Sequence, residues 1–308
     1  MKNDRKIICV VGPTSSGKTK LAVKLAKEFS GEIISADSRQ VFRGLTIGTG
    51  KDLEEYDNIT YSLIDIKNPG EEFTLFDFLD LARVKIEEIF EAGKVPIIVG
   101  GTGLYVQALV EGFEISQKSK VKSQNCNSKV KSYSRGKLEK LSKAELQEIL
   151  IDLDEEVFLT IDLDNPYRMI RAIEKAQGGE QIAKVKPSFE ALQIGIEIPR
   201  EVLCEKIDRR VDEWFQEGFY EEVEGLLKSG VSLEWLNKIG LEYKILANYI
   251  AGTDHGDKSF EEMKDKMKIA IHQYARRQNT WFKRFLEIKW VTNFNEAECI
   301  ARDYLNKV

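Results

Sequence analysis

The stretch KIICVVGPTSSGKTKLAVKLAKEF, residues 6–29, decides the fold of this chain. It begins with a short apolar run that is rich in β-branched residues and ends at Gly-Pro, which predicts a buried parallel strand. Its second half repeats apolar residues at helical spacing, which predicts an amphipathic helix. Between them, GPTSSGKT at positions 12–19 matches the phosphate-loop pattern G-x-x-x-x-G-K-[ST] in the strand-to-helix setting that this loop requires.

The loop predicts a site for phosphate groups. Backbone N–H groups near the helix N-terminus favour anions, the Lys18 ammonium neutralises them, and the Thr19 hydroxyl is a ligand for Mg²⁺. The candidate phosphate-binding residues are Gly12, Pro13, Thr14, Ser15, Ser16, Gly17, Lys18 and Thr19. The sequence lacks the guanine-reading elements of a GTPase, and its strand VPIIVGG ends in glycine instead of the metal-ordering acid of a motor ATPase. Transferases that act on a phosphate or diphosphate substrate remain.

The chain around this loop alternates predicted strands and helices. Strands are expected at KIICVV, EIISA, YSLIDI and VPIIVGG, and ALQIGIEIP is expected to rejoin the sheet later. This order predicts an α/β fold: a P-loop NTPase-like doubly wound parallel sheet with a helical insertion and a helical C-terminal region. Everything after Pro199 is expected to be helical, and the last long helix is expected to run from about residue 260 to residue 288.

Three segments are expected along the chain. They are a P-loop α/β core at residues 1–113, a basic and mainly helical insertion at residues 114–185, and a return to the core with C-terminal helices at residues 186–308. Within the insertion, SQKSKVKSQNCNSKVKSYSR has almost no apolar residues to bury, which predicts a mobile basic segment.

Composition favours a globular protein of a reducing compartment. The chain has 308 residues, of which 42% are hydrophobic, enough to bury a substantial core. Its four cysteines form no C-x-x-C pair, which argues against a disulfide framework and a zinc site. The N-terminal apolar run is too short for a signal peptide, and no apolar run approaches membrane-spanning length. We therefore expect a cytoplasmic protein without a membrane segment.

The charge of the chain is unevenly distributed. The net charge is −5, but residues 114–140 and residues 264–289 each hold eight Lys or Arg against two acids. These two basic segments on an acidic body predict an electrostatic footprint for a polyanion such as a nucleic acid. The alternative is that both are solvated, lysine-rich surfaces.

Polar residues follow two further predicted strands. In SADSRQ, Asp37 comes directly after the second strand, so it is expected at the same sheet edge as the phosphate loop, where it can act as a general base or order Mg²⁺. Ser38, Arg39 and Gln40 add a hydroxyl, a cation and an amide, and an amide suits the reading of an adenine edge. In VGGTGLY, a second glycine-rich turn brings the Thr102 hydroxyl to that edge. The alternative role for Asp37 is helix capping.

These motifs resemble those of a known family. GPTSSGKT, SADSRQVFRGLTIGT, GGTGLY, RRVDEWFQEGFYEEV and QYARRQNTWF occur in the order and approximate spacing of the tRNA dimethylallyltransferases, which prenylate the adenosine next to the anticodon. The resemblance extends from about residue 6 to residue 285. It implies that the phosphate loop binds the diphosphate of dimethylallyl diphosphate, with Mg²⁺ as the cofactor. It gives no role to Lys51.

The resemblance also implies roles for single residues. Asp37 would take the proton from N6 of the adenine, Thr102 would orient the reacting groups, and Arg210, in preference to Arg209, would contact the diphosphate. The residues that it implies for binding the tRNA anticodon stem-loop are Asp37, Ser38, Arg39, Gln40, Tyr167, Arg168, Arg171, Arg276, Arg277, Gln278 and Trp281. For Trp281, a place in the core is the alternative, because aromatic residues at helical spacing are usually buried. The acceptor implied is adenosine at position 37 of tRNAs that read codons beginning with U, and the enzyme is expected to act as a monomer.

Three other functions remain open at this point. A prenyltransferase acting on free AMP or ADP would need no basic surface for RNA, so salt-dependent RNA binding would distinguish it. An ATP-dependent small-molecule kinase would bind ATP saturably and ignore RNA. A non-enzymatic RNA-binding module would have no need of the phosphate loop.

Overall fold

The structure is a computed structural model that describes residues 5–116, 133–177, 181–253 and 259–307. The chain divides into two compact units: Met1–Glu111 with Lys186–Val308, and Gly112–Val185. Most of the lysine- and serine-rich segment expected to be mobile, residues 117–132, lies outside the described residues. The expected contact of the insertion with tRNA stays a prediction.

Strands and helices are found throughout the described residues. The strands are β1 (Lys6–Val11), β2 (Gly31–Ser35), β3 (Tyr61–Ser62), β4 (Val95–Gly100), β5 (Phe113–Ser116), β6 (Gln181–Lys184), β7 (Glu190–Ile196) and β8 (Lys289–Val291). The helices are α1 (Lys18–Glu28), α2 (Leu75–Glu91), α3 (Gly103–Val110), α4 (Arg135–Leu138), α5 (Lys143–Leu153), α6 (Glu155–Thr160), α7 (Pro166–Ala176), α8 (Arg200–Gln216), α9 (Phe219–Lys228), α10 (Leu233–Ile239), α11 (Leu241–Ile250), α12 (Phe260–Phe282) and α13 (Phe294–Asn306).

Six strands of the larger unit form one parallel sheet in the order β3-β2-β4-β1-β7-β8. This arrangement confirms the predicted doubly wound α/β fold and the predicted return of ALQIGIEIP, as β7, to the sheet. The strands β2, β4 and β1 are consecutive neighbours. Because parallel strands point the same way, the loops that follow these three strands leave the sheet side by side at its carboxyl edge.

Helices cover both faces of this sheet. On one face, Leu21 and Leu25 of α1 and Ala297 of α13 belong to the same buried cluster as Ile8 and Ile97 of the strands. On the other face, α2 and α3 pack against β4. A strand covered on both faces has no solvent side, which is why β1 and β4 are almost continuous apolar runs and do not alternate with polar residues.

A second core in the larger unit is made by the helices of the C-terminal segment. It contains residues from α8, α9, α10, α11 and α12. Val41, Phe42 and Leu45, which follow the polar turn after β2, are buried in this cluster as well. The polar turn is therefore held at one end by the sheet and at the other by the helical core.

The smaller unit has its own short core. Leu146 and Leu150 of α5 pack with Met169, Ile170 and Ile173 of α7, and β5 pairs with β6 in an antiparallel ribbon. None of the helices in the described parts of either unit is long and apolar enough to cross a membrane.

Three sequence-based expectations were wrong in detail. YSLIDI forms only the two-residue strand β3, because Leu63 and Asp65 take positive φ angles of 63° and 55° and leave the extended conformation. The last long helix ends at Phe282, and the segment after Pro199 is not all helical, since β8 adds a strand at the edge of the sheet. The β5–β6 ribbon had no expected counterpart, because four-residue strands carry little periodic signal.

Candidate active site

A cleft of about 340 Å³ opens in the larger unit where the loops after β1 and β2 meet the end of β4. This volume lies in the range typical of small-molecule sites. The phosphate loop lines one part of the cleft and the polar turn after β2 lines another, together with residues of α8, α11 and α12. Two of the three polar loops expected around one cleft thus line it, and the second glycine loop contributes Gly100 at the end of β4.

The phosphate loop has the backbone conformation of an anion-binding turn. Gly17 takes a φ of 87° directly before α1, in the left-handed region that favours glycine, and Ser15 takes a φ of 60°. The carbonyl of Pro13 accepts hydrogen bonds from the Ser16 amide and the Lys18 ammonium, both at 3.3 Å. Left-handed residues in such a loop turn successive N–H groups toward one side, where an anion binds.

Lys18 stands among charged groups of both signs. Burial lowers its pKa to about 8, while the negative charge of Asp37 acts in the opposite direction and the charges of Arg210 and Arg39 add to the lowering. An anion in the cleft would reverse this shift, because it would stabilise the charged ammonium. Lys18, Arg39 and Arg210 thus bring three cations to one cleft, where Asp37, Asp52 and Glu242 lie beside them.

Asp37 is held by its own turn. Its Oδ1 atom accepts the backbone N–H of Arg39 at 2.9 Å and that of Gln40 at 3.4 Å. Such a turn is typical of aspartate at the start of a loop. Among the described residues, no hydrogen bond reaches Oδ2, and Asp37 lines the cleft.

The second glycine loop packs directly against that turn. The Thr102 Oγ1 atom accepts the backbone N–H of Ser38 at 3.2 Å. A Cβ atom on Gly100 would lie 2.1 Å from the carbonyl oxygen of Ala36, so only glycine permits this approach of β4 to the segment after β2. Thr102 therefore lies beside the Asp37 turn, as expected from the parallel sheet.

Arg210 reaches the cleft from α8. Its guanidinium forms an ion pair with Asp52 and lies over the ring of Trp214, with 5.8 Å between the guanidinium carbon and the ring centroid. A Cβ atom on Gly50 would lie 2.1 Å from Nη2 of Arg210. Arg209 also lines the cleft, but its side chain is 71% exposed and pairs with Glu213 of its own helix. The geometry supports the preference for Arg210.

Three side chains expected to contact tRNA have their polar groups engaged within the protein. Gln40 accepts from Ser35 Oγ at 3.0 Å and donates to the carbonyls of Thr49 and Gly50, which fixes the loop that carries Gly50. The guanidinium of Arg39 forms an ion pair with Glu242. The side chains of Gln40 and Arg39 thus serve to hold loops, which reduces their availability to a base.

Gln278 is the third of these side chains. Its Oε1 accepts the Thr14 N–H at 2.8 Å and its Nε2 donates to the Gly101 carbonyl at 2.8 Å, so it joins the phosphate loop to the second glycine loop. One turn further along α12, half-buried Trp281 packs against Gly103, where a Cβ atom would lie 2.2 Å from Cδ1 of the indole. Arg276 and Arg277, which directly precede Gln278 in α12, are exposed.

The other expected tRNA contacts belong to the smaller unit. Tyr167 on α7 is 66% exposed. Arg168 pairs with Asp162 at 3.4 Å and Arg171 with Glu174 at 3.1 Å, all at least partly exposed to solvent. Contact of these residues with RNA stays a prediction.

Sequence reasoning missed several residues in the wall of the cleft or just behind it. Glu242 is a buried carboxylate on its wall, and Tyr274 stacks under Arg39 with 5.5 Å between the guanidinium carbon and the ring centroid. Lys51 is fully buried, donates to the Phe42 carbonyl at 2.7 Å and pairs with Asp65, so it fixes the loop before Asp52. Only Lys51 carried a signal, as a charged residue between glycines and an acid, and that signal did not specify its role.

The Thr19 hydroxyl fits a Mg²⁺ ion that shares its ligands with a substrate. Thr19 lines the cleft in the first turn of α1. In the parts of the chain that the structure describes, no three His, Cys, Asp or Glu side chains form a metal-binding group. Mg²⁺ usually takes one or two protein oxygens together with substrate phosphates and water, which is the donor set that this cleft offers.

The fold and this cleft define a P-loop α/β protein with a phosphate site on one side and a candidate base on the other. The family described as IPP transferase matches residues 40–285, and that described as isopentenyl transferase matches residues 5–60. A tRNA dimethylallyltransferase 2 of Shewanella sediminis is 44% identical over 92% of this chain and 90% of the relative. A tRNA dimethylallyltransferase 2 of Treponema denticola is 41% identical over 92% and 95%.

A solved structure agrees with these relatives. The tRNA delta(2)-isopentenylpyrophosphate transferase of Staphylococcus epidermidis superimposes with a TM-score of 0.68 at 33% identity, over 98% of both chains. The chain belongs to the IPP transferase family, that of the tRNA dimethylallyltransferases. This confirms the resemblance drawn from the motifs.

Proposed function

We propose that this protein transfers a dimethylallyl group from dimethylallyl diphosphate to N6 of adenosine at position 37, beside the anticodon, of tRNAs that read codons beginning with U. The products are N6-isopentenyladenosine and diphosphate. The observation that supports this proposal is the cleft that the phosphate loop and Asp37 line together, with Thr102 hydrogen-bonded to the turn that carries Asp37. A leaving group and an acceptor base could both be held there.

The residues divide between the two substrates. Lys18, Arg210 and the loop amides would bind the diphosphate and stabilise the charge that develops on it as the carbon–oxygen bond breaks. N6 of adenine would form the new bond to the allylic carbon, and Oδ2 of Asp37 would take the N6 proton. Thr102, beside the Asp37 turn, would orient the base.

Mg²⁺ is the proposed cofactor, and Thr19 would supply one of its ligands. The ion would neutralise charge on the diphosphate when bound. The adenosine would leave the base stack to reach the cleft, and Arg276 and Arg277, which are exposed, would contact phosphates of the stem-loop. We propose that the enzyme acts as a monomer. We also propose that it acts in the cytoplasm, because its proposed acceptor is tRNA.

The test is a transfer assay with purified protein, Mg²⁺, dimethylallyl diphosphate and tRNA that carries an unmodified adenosine at position 37. Nucleoside mass analysis should show isopentenyladenosine, and its absence would refute the proposal. Parallel reactions with AMP and with ADP test the nucleotide prenyltransferase, and saturable ATP binding with phosphate transfer that does not depend on RNA would favour the kinase. Asp37→Ala should abolish transfer while tRNA binding persists; full activity of this variant would exclude Asp37 as the base.

A further inference from the structure

An ion pair without an assigned role lies on the wall of the cleft. The Glu242 carboxylate accepts a hydrogen bond from Nη1 of Arg39, and the two side chains are 2% and 13% exposed. Glu242 lies in the first turn of α11, where the helix dipole favours a negative charge. Arg39 is also held from below by the ring of Tyr274. Three separate segments thus meet at one guanidinium.

Stability alone is a poor reason for this pair. Removing two charges from water costs more than their attraction returns in many proteins, and well-packed apolar residues often serve equally well in their place. The burial of Glu242 raises the pKa of its carboxyl, an effect that Arg39 opposes. The neighbouring Asp37 turn is what this buried ion pair can hold in position.

The backbone of Arg39 supplies the connection to the reacting groups. The backbone N–H of Arg39 donates to Oδ1 of Asp37 at 2.9 Å, and this is the shorter of the two hydrogen bonds that Oδ1 accepts. The side chain of the same residue is anchored to α11 through Glu242. A guanidinium fixed at its far end limits the turn to one conformation, and that conformation directs Oδ2 of Asp37 into the cleft.

We propose that Glu242 is a positioning residue for the acceptor side of the reaction: by holding the Arg39 guanidinium, it fixes the turn that presents the Asp37 carboxylate to the incoming N6 group. This inference rests on the proposed function. It also gives Arg39 a structural task in place of a contact with the flipped base. Glu242 touches neither substrate and acts through Arg39.

The test measures kcat and both KM values for Glu242→Ala and Glu242→Gln. A shift of about 1 Å in a catalytic group costs about 10²-fold in rate, so we expect kcat of Glu242→Ala to fall about 10²-fold. The KM for dimethylallyl diphosphate and the dissociation constant for tRNA should change less than about threefold, because neither the phosphate loop nor exposed RNA contacts are altered. Glu242→Gln keeps an acceptor oxygen for Arg39, so its kcat should stay close to that of the wild type and well above that of Glu242→Ala.

A matched control and a double variant separate positioning from general damage. Glu32→Ala removes another mostly buried carboxylate of an ion pair, with Lys94, at the opposite end of β2 from Asp37, and kcat should stay at the wild-type value. In an Arg39→Ala background, Glu242→Ala should lower kcat less than about threefold, because the side chain through which it acts is gone.

The outcomes are distinguishable from failure of the proposed function. Absence of isopentenyladenosine with wild-type protein would refute that function itself. With active wild-type protein, an unchanged kcat in Glu242→Ala would overturn the inference, as would a full 10²-fold loss in the Arg39→Ala background. A lower melting temperature accompanied by a normal kcat at 20 °C would assign Glu242 to stability alone, which also overturns it.

Discussion

Gln278 provides the sharpest test of how this site is built. Its side chain is 7% exposed and its two hydrogen bonds, each of 2.8 Å, hold the phosphate loop at Thr14 and the second glycine loop at Gly101. These partners fix the orientation of the side-chain amide, because the Thr14 N–H needs Oε1 as its acceptor and the Gly101 carbonyl needs Nε2 as its donor. Gln278→Ala would leave both backbone groups without their partner.

The magnitude follows from these two bonds. An unsatisfied buried group costs about 1–3 kcal/mol, and because the Thr14 amide is only partly buried we expect the free energy of unfolding to fall by about 2–4 kcal/mol. The released Thr14 would have to be ordered again when diphosphate binds. Fixing one residue costs about 1–2 kcal/mol, which corresponds to a rise of about 5–30-fold in the KM for dimethylallyl diphosphate.

The assay compares that KM with the dissociation constant for tRNA in the same variant. Gln278→Glu keeps an acceptor for Thr14 but places a carboxylate against the Gly101 carbonyl, so it should also raise the KM. Gln107→Ala on α3, which removes a side chain paired with Glu111 at 2.8 Å, is the control and should leave both constants unchanged. Weakened tRNA binding with an unchanged KM would refute the reasoning and would return Gln278 to the RNA contacts that the sequence suggests.

Two further predictions concern the diphosphate side of the cleft. Burial lowers the pKa of Lys18 to about 8, so its ammonium is charged below that pH and neutral above it. We therefore expect kcat/KM for dimethylallyl diphosphate to fall as the pH rises through about 8. A flat profile up to about pH 9.5 would contradict this prediction. Gly50→Ala should raise the KM for dimethylallyl diphosphate several-fold and leave the affinity for tRNA unchanged. The reason is that Gly50 has a φ of 58° and a Cβ atom there would lie 2.1 Å from Nη2 of Arg210, which would have to move. An unchanged KM would show that Arg210 does not contact the diphosphate.

The parts of the site that the sequence predicted well are those set by local pattern and sheet topology. The phosphate loop needs only its own glycines, Lys18 and a neighbouring strand and helix. Asp37 and Thr102 follow strands, and parallel strands deliver their loops to one edge, so their proximity could be inferred without knowing the strand order. The order β2-β4-β1 then made them direct neighbours.

The parts that the sequence could not predict depend on partners far along the chain. Arg39 pairs with Glu242, 203 residues away, and Thr14 bonds to Gln278, 264 residues away. No local pattern distinguishes an amide that reads a base from one that ties two loops together. The same limit applies to the basic helix: Lys264 and Lys268 of α12 both pair with Asp212 of α8, so part of the positive charge expected to attract RNA is neutralised within the protein.

One face of α12 accounts for both the aromatic spacing in the sequence and the arrangement of the loops around the cleft. Tyr274, Gln278 and Trp281 follow one another at intervals of four and three residues, which places them on one side of a helix. Tyr274 supports Arg39 of the acceptor turn, Gln278 joins two loops, and Trp281 packs on Gly103. A single helix thus contacts all three loops. Substitutions on this face should therefore disturb both substrates together, whereas changes at exposed Arg276 should alter RNA affinity alone.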